Sequence, residues 1–234
     1  MYLEVSEIDT YYGVFQAIFR VSLHLATGEV ACLLGRNGAG KTTTLASIVG
    51  LNRPRAGAVR FKGQDITAKR PHQIARLGIG FIPEGRWIFS GLTVRENLEL
   101  GLRKAGRGGR KAAIEKVYGI FPKLRDMEDQ PGGTLSGGEQ QMLTIGRTLM
   151  GAPELILLDE PTAGLAPLIV QLLGEQIVRL REQGPSILLT EQNAHFAKGI
   201  SDRAHVIDKG AIVYEGDVER LREDDAMMRE YLGV

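Results

Sequence analysis

Cysteine is almost missing from this chain of 234 residues: Cys32 is the only one. An internal disulfide is excluded, and such usage fits a reducing cytoplasm. Cys32 lies in the apolar run EVACLLG, where a small buried hydrophobe is the expected role. An excess of charge is missing too, with 29 Lys+Arg against 28 Asp+Glu and a formal net charge of +1. No strong general attraction to nucleic acid or to an anionic membrane is expected. Long apolar runs are also lacking. The longest uncharged stretch, PTAGLAPLIVQLLG from 161 to 174, is shorter than the about 18 residues of a membrane helix and is broken by prolines and glycines. The start MYLEVSEI shows neither a basic segment nor an apolar signal core. Work at a membrane would require another chain to carry this one there.

Glycine is plentiful, with 30 residues that punctuate short β-like runs and helical patterns. The β candidates are LEVSEI, VSLHL, VACLL, AVRF, GIGFI, LILLD, SILLT, AHVID and AIVYEG. Helices are expected to begin near Thr42, Pro71, Thr93, Arg110, Ser136, Pro167 and Asn193. This alternation predicts an α/β class, a mostly parallel sheet with helices on both faces. The runs up to Leu25 read as hairpin strands, so an antiparallel β portion should precede VACLL. From about Trp87 to Gly151 the pattern is mainly helical. The expectation is one domain, with an α/β core of 1–86 and 152–234 and an inserted helical subdomain at 87–151. The basic, glycine-rich RKAGRGGRK (103–111) reads as a mobile surface loop between two helices, with phosphate binding as the sharper alternative.

GRNGAGKT, from Gly35 through Arg36, Asn37, Gly38, Ala39, Gly40 and Lys41 to Thr42, fits G-x-x-x-x-G-K-[ST] between a strand and a helix that continues into Thr43. Glycines at these places let backbone N–H groups turn toward phosphate oxygens, and the helix N-terminus adds its positive end. Lys41 brings a charge for the β and γ phosphates, and Thr42 a hydroxyl for Mg²⁺. A dinucleotide fingerprint needs another glycine spacing. ELILLDE is an apolar strand ending in two acids. Asp159 is placed to hold Mg²⁺ and Glu160 to act as general base on water. In TLSGGEQQ, Ser136 reads as a helix N-cap with Glu139 as its capping-box partner. Gly137 and Gly138 cost the first turn about 1 kcal/mol each relative to alanine, which backbone approach to an anion would explain.

LSGGEQQ following a phosphate loop and preceding LILLDEP resembles the signature of ATP-binding cassette (ABC) ATPases, and the likeness covers essentially the whole chain. It implies a P-loop ATPase that binds ATP and Mg²⁺ and closes as a head-to-tail sandwich of two cassettes. Leu135, Ser136, Gly137, Gly138 and Glu139 would then cover the ATP of the other subunit, with Ser136 and Gly138 at its γ-phosphate. A lone subunit would hydrolyse poorly. Tyr12 matches the adenine-stacking aromatic, with Tyr11 as its rival. Gly164, Leu165, Ala166 and Pro167 match the loop that touches the partner, although Ala166 stands where an acid is usual. Glu84, in FIPEGRWIF, stands where the family keeps a glutamine that senses Mg²⁺ and water and couples to the membrane subunit. Trp87, Ile88 and Phe89 would either anchor the helical part or line a groove for that subunit. The family's phosphate-sensing histidine falls at Gln192, with His195 three residues into the helix as a surface or interface residue.

PEGR, TVRENL, LSGGEQQMLTIGR, LDEPTAGLAP, EQN and the terminal REYLG together resemble one ATPase subunit of branched-chain amino acid (Leu, Ile, Val) uptake systems. That implies separate membrane permeases, an indirect link to an external substrate-binding protein, and a cytoplasmic chain peripheral to the inner face of the membrane. Urea importers, lipopolysaccharide exporters and non-transport ABC ATPases are the competing readings. A small P-loop kinase would lack LSGGEQQ.

Overall fold

The structure, a computed structural model, describes residues 1–102 and 107–223. The chain opens with the hairpin β1 (Leu3–Tyr12) and β2 (Phe15–Leu25), followed by β3 (Val30–Leu34) and α1 (Lys41–Ile48). Next come β4 (Ala56–Phe61), β5 (Gln64–Asp65), α2 (Pro71–Arg76) and β6 (Ile79–Ile82). A helical stretch follows: α3 (Val94–Leu100), α4 (Arg107–Ile120), α5 (Pro122–Asp126), a 3-10 turn (Gly132–Thr134) and α6 (Gly137–Leu149). The chain then alternates through β7 (Leu155–Asp159), α7 (Pro167–Glu182), β8 (Ser186–Glu191) and α8 (Ala194–Ile200). It continues with β9 (Arg203–Asp208), β10 (Ala211–Asp217) and α9 (Val218–Glu223).

A four-stranded antiparallel sheet has the order β2-β1-β4-β5, and a six-stranded sheet the order β10-β9-β3-β8-β7-β6. In the second sheet all neighbours are parallel except β10 on β9. Because β3, β8, β7 and β6 lie side by side and run one way, the loops after Leu34, Glu191, Asp159 and Ile82 leave from the same edge. Open α/β sheets bind ligands beyond that carboxyl edge.

The central strands are apolar throughout, and their two faces feed two cores, as period-2 geometry requires. Val30, Cys32, Leu34, Ile156, Leu158, Ile187 and Leu189 pack against α3–α8, with Leu98, Leu143 and Leu173 among their neighbours. Ala31, Leu33, Leu155, Leu157 and Leu188 pack against α1 and the antiparallel sheet. Cys32 is fully buried, and burial pushes its thiol up, which leaves it a packing residue rather than a nucleophile.

All nine expected strands are present, and three expected helix starts carry their caps. Thr93, Ser136 and Asn193 accept from the backbone N–H of Glu96, Glu139 and Phe196. Strands β1 and β2 run further toward their turn than the alternation indicates. Register shifts beside Glu7 and Arg20, both in the left-handed region, break the period-2 pattern there. The helix expected near Arg110 begins at Arg107, so the basic run is helical from Arg107 to Lys111 rather than a loop. Residues 103–106 of that run, and the terminal REYLG, lie outside the described residues. Arg110 is 3.2 Å from Glu99, which gives that cation a carboxylate partner within the fold. Helix α5 is not among the expected helix starts. Pro122 cannot donate to the helix ladder and biases Phe121 away from helical geometry, so one helical pattern becomes two helices.

Candidate active site

The phosphate loop leaves β3 at Leu34 and enters α1 through Gly40, whose φ of 112° is open to glycine alone at low cost. A Cβ on Gly40 would also lie 2.7 Å from Ile18 Cγ2. Lys41 donates to the carbonyls of Gly35 (2.7 Å) and Arg36 (2.9 Å), and its Nζ lies 3.1 Å from Glu160 Oε1. An ammonium has three protons, so all of them are committed.

Asp159 ends β7 and is buried. Its Oδ1 accepts from Thr42 Oγ1 (3.1 Å) and Thr190 Oγ1 (2.7 Å), while its Oδ2 is buried with no protein partner among the described residues. Burial pushes its carboxyl up, against the two hydroxyl donors that pull it down. An unpaired buried carboxylate oxygen beside the Thr42 hydroxyl is the donor set a hard cation such as Mg²⁺ takes, with phosphates completing its shell. Glu160 follows in the left-handed region (φ 44°), a strained setting for a non-glycine residue and one found preferentially at active sites. The strain is held by its N–H, which donates to Thr190 O (3.2 Å) and Thr190 Oγ1 (3.0 Å).

Gln192, one residue beyond β8, donates from Nε2 to Glu160 Oε2 (2.8 Å) and Asn37 Oδ1 (2.6 Å). It joins the phosphate loop to the second acid. His195 is exposed and lines a different cleft, of about 900 Å³, with Leu165, Val178 and Phe196. Glu191 is buried with burial pushing its carboxyl up, and it accepts from Thr162 N (3.1 Å), Thr162 Oγ1 (2.7 Å) and Asn193 N (3.3 Å). It is a brace for the loop after Glu160 rather than a reacting group.

A cavity of about 430 Å³ is lined by Asn37, Gly38, Gly40, Lys41, Thr42, Thr43, Glu84 and Glu160, together with Gln16, Ala17, Phe19 and Lys209. A second, of about 360 Å³, lies between Asn37, Glu84, Glu160, Gly164 and Gln192. Glu84, exposed, thus reaches both. Tyr12 is 53% exposed and does not line the first cavity. Tyr11 is tied instead, its hydroxyl donating to Gln16 Oε1 (2.8 Å) and its ring lying 4.4 Å below the Arg55 guanidinium. Sequence reasoning passed over Thr190, Phe19 and Lys209. Thr190 sat in view inside LLTEQN, but only the β7–β8 pairing puts it opposite Asp159.

The signature residues lie apart from these cavities, at the start of α6. Ser136 N donates to Glu139 Oε2 (2.8 Å), and Ser136 Oγ to the same oxygen (2.7 Å). Those bonds hold the Glu139 carboxyl below the usual range. Leu135 is buried beneath the turn. Gly137 and Gly138 have a packing reason besides the expected one. A Cβ on Gly137 would sit 2.4 Å from Arg86 Nη1, and one on Gly138 2.6 Å from Ile169 Cγ2. In the 164–167 loop, Ala166 is the N-cap of α7 with no side-chain cap bond, and Pro167 is the first helical residue.

A phosphate loop, a Thr42 hydroxyl on the buried Asp159 and a strained glutamate on one sheet edge define a P-loop ATPase with a helical insertion. Residues 18–163 match the family described as ABC transporter, and the chain belongs to that family and hydrolyses ATP. It is 42% identical to the high-affinity branched-chain amino acid transport ATP-binding protein BraG of Pseudomonas aeruginosa, covering 99% of both chains. It is 33% identical to the probable branched-chain amino acid transport ATP-binding protein LivF of Archaeoglobus fulgidus, again over 99% of both. Among solved structures, an ATP-binding cassette of an ABC transporter in its ADP conformation superposes with a TM-score of 0.88 at 28% identity, covering 97% of each chain. Among the described residues no helix is long and apolar enough to cross a membrane.

Proposed function

We propose that this chain is the ATPase subunit that powers uptake of branched-chain amino acids through separate membrane permeases. The observation that carries this is its likeness, end to end, to a branched-chain amino acid transport ATP-binding protein at 42% identity. Two copies, or one copy with a sister cassette, close head to tail so that Ser136–Glu139 of one face the phosphate loop of the other. The exposed placement of Ser136 at the N-terminus of α6, away from the chain's own Lys41 cavity, supports this. The permeases dock on a groove of about 470 Å³ between α2–β6 and α3–α6, lined by Phe81, Phe89, Leu100 and Arg147. Trp87, Phe89 and Leu100 are exposed there or beside it, which supports the docking role, while Ile88 packs inward on the core. The chain works on the cytoplasmic face of the membrane.

Backbone N–H groups of 35–42 and the α1 N-terminus receive the triphosphate. Lys41 keeps its two carbonyl anchors and turns its third proton from Glu160 to a phosphate oxygen. Thr42 and Asp159 would hold Mg²⁺, and Glu84 lines the same cavity as Thr42. When bound, the ion neutralises charge on the phosphates. Glu160, released from Lys41 and steadied by Gln192, accepts a proton from water as the water oxygen bonds to the γ-phosphorus. The bond to the β–γ bridging oxygen breaks and ADP leaves. Closing and reopening of the pair then switches the permeases between their two facing states.

Uptake of labelled leucine, isoleucine and valine by cells with and without the gene tests the transport reading. Loss of uptake of all three, restored by the parent but not by Glu160→Gln, is expected. Unchanged amino acid uptake with lost urea uptake, or with a lipopolysaccharide export defect, refutes it.

A further inference from the structure

The structure points to Arg86 as a positioning residue that locks the first turn of α6 to the 163–164 loop, and we propose that it does so for the nucleotide held by the partner chain. The proposal rests on the two-chain reading above. Arg86 has φ 51° and follows Gly85 at φ 100°, so the loop after β6 is turned sharply to place this side chain. Its Nη2 donates to Ala163 O (3.2 Å) and Gly164 O (3.0 Å). Its other edge lies over Gly137, where a Cβ would be 2.4 Å from Nη1 and 2.9 Å from Cζ. Among the described residues Nη1 has no hydrogen-bond partner. One guanidinium thus spans two loops far apart in sequence, from a segment that also carries Glu84 into the Glu160 cavity.

A cation set against a helix N-terminus opposes the helix dipole; the Glu139 carboxylate is already engaged in capping Ser136, and a further anion brought to the same place makes the arrangement more favourable. The chain's own phosphate loop is not that place, because Arg86 is absent from the lining of the Lys41 cavity. A triphosphate presented by a second chain against Ser136 and Gly138 meets the requirement. Arginine suits the task because its planar fork serves two carbonyls with one edge while the other stays against Gly137.

The test uses full-length Arg86→Ala and Arg86→Lys proteins with Mg-ATP. Arg86→Ala should lower kcat about tenfold, the loss of a charge-assisted hydrogen bond felt at turnover. Binding of a fluorescent ATP analogue to the dilute single chain should not change. Arg86→Lys keeps the charge without the fork and should fall between. Mixing then separates the two surfaces. In a mixed pair of Arg86→Ala and Lys41→Ala chains, the one competent phosphate loop faces an intact signature, so activity should return above that of either variant alone. Ser136→Ala mixed with Lys41→Ala is the reference and should also recover. Recovery with Ser136→Ala but not with Arg86→Ala overturns the Arg86 assignment and leaves the two-chain reading standing. Recovery in neither mixture overturns the two-chain reading, and the assignment with it. An Arg86→Ala protein with the parent's kcat overturns the assignment alone.

Discussion

Replacing Gln192 with alanine removes both bonds that its Nε2 makes, to Glu160 Oε2 at 2.8 Å and to Asn37 Oδ1 at 2.6 Å. The first is a bond to a carboxylate, and such bonds contribute about 1.5–3 kcal/mol. If the Glu160 orientation it fixes is needed at the step where water is polarised, kcat falls about 10- to 100-fold, since each 1.36 kcal/mol or so is tenfold in rate. The Lys41 contact to Glu160 Oε1 does not compensate, because phosphate draws that ammonium away. His195→Ala is the paired control. His195 is exposed in a cleft formed by α7 and α8, and a surface change of this kind shifts energies by about 0.5 kcal/mol or less, within roughly a factor of two in rate. Gln192→His keeps a ring N–H that can donate to Glu160 and should retain far more activity than Gln192→Ala. Phosphate release at saturating Mg-ATP measures all three. A large loss in His195→Ala with near-normal turnover in Gln192→Ala would refute the placement of Gln192 as the residue that steadies the base.

Two further outcomes concern stability. Ala166 caps α7 with suitable backbone angles but no side-chain acceptor, so Ala166→Asp should stabilise the chain by about 0.5–2 kcal/mol in urea unfolding at pH 7; no gain would show that the α7 start is not free to accept a cap. His205 is fully buried, and burial pushes it down to about 4, against Glu215 and the His24 backbone, which pull it up, while the charges of His24 and Arg203 add to the fall. Because the folded value lies below the ordinary 6.5, the unfolded chain binds a proton that the folded chain refuses. Its contribution is therefore complete above about pH 6.5 and lost toward pH 4, up to about 3 kcal/mol. His205→Leu should flatten the loss of stability between pH 7 and 4.5, and an unchanged slope would exclude this histidine as the cause.

Much of the fold was legible because its signals are local. A capping box announces α6, Pro167 announces α7, and unbroken apolar runs announce β3, β7 and β8. The phosphate loop and the two acids were legible for the same reason, each being a short motif on one element. What escaped reading depends on pairing across the fold. Thr190 becomes part of the site only through its register opposite Asp159, and Arg86 acquires its contacts only when three loops meet. The hairpin's outer half was obscured by its bulges, and the α4–α5 break by a proline inside a continuous helical pattern. Glu191 and Gln192 illustrate the limit: adjacent polar residues, one buried against Thr162 and the other turned to Glu160, which strand alternation beyond β8 separates.

The most direct test of the central claim, a two-chain ATPase with Glu160 as its base, is the mass in solution of Glu160→Gln with Mg-ATP, measured by light scattering after size exclusion. Removing the base without altering the side chain's size should arrest the pair in its closed, ATP-bound form, giving a stable dimer with negligible phosphate release. A protein that stays monomeric with ATP and hydrolyses it at the parent's rate would contradict the account.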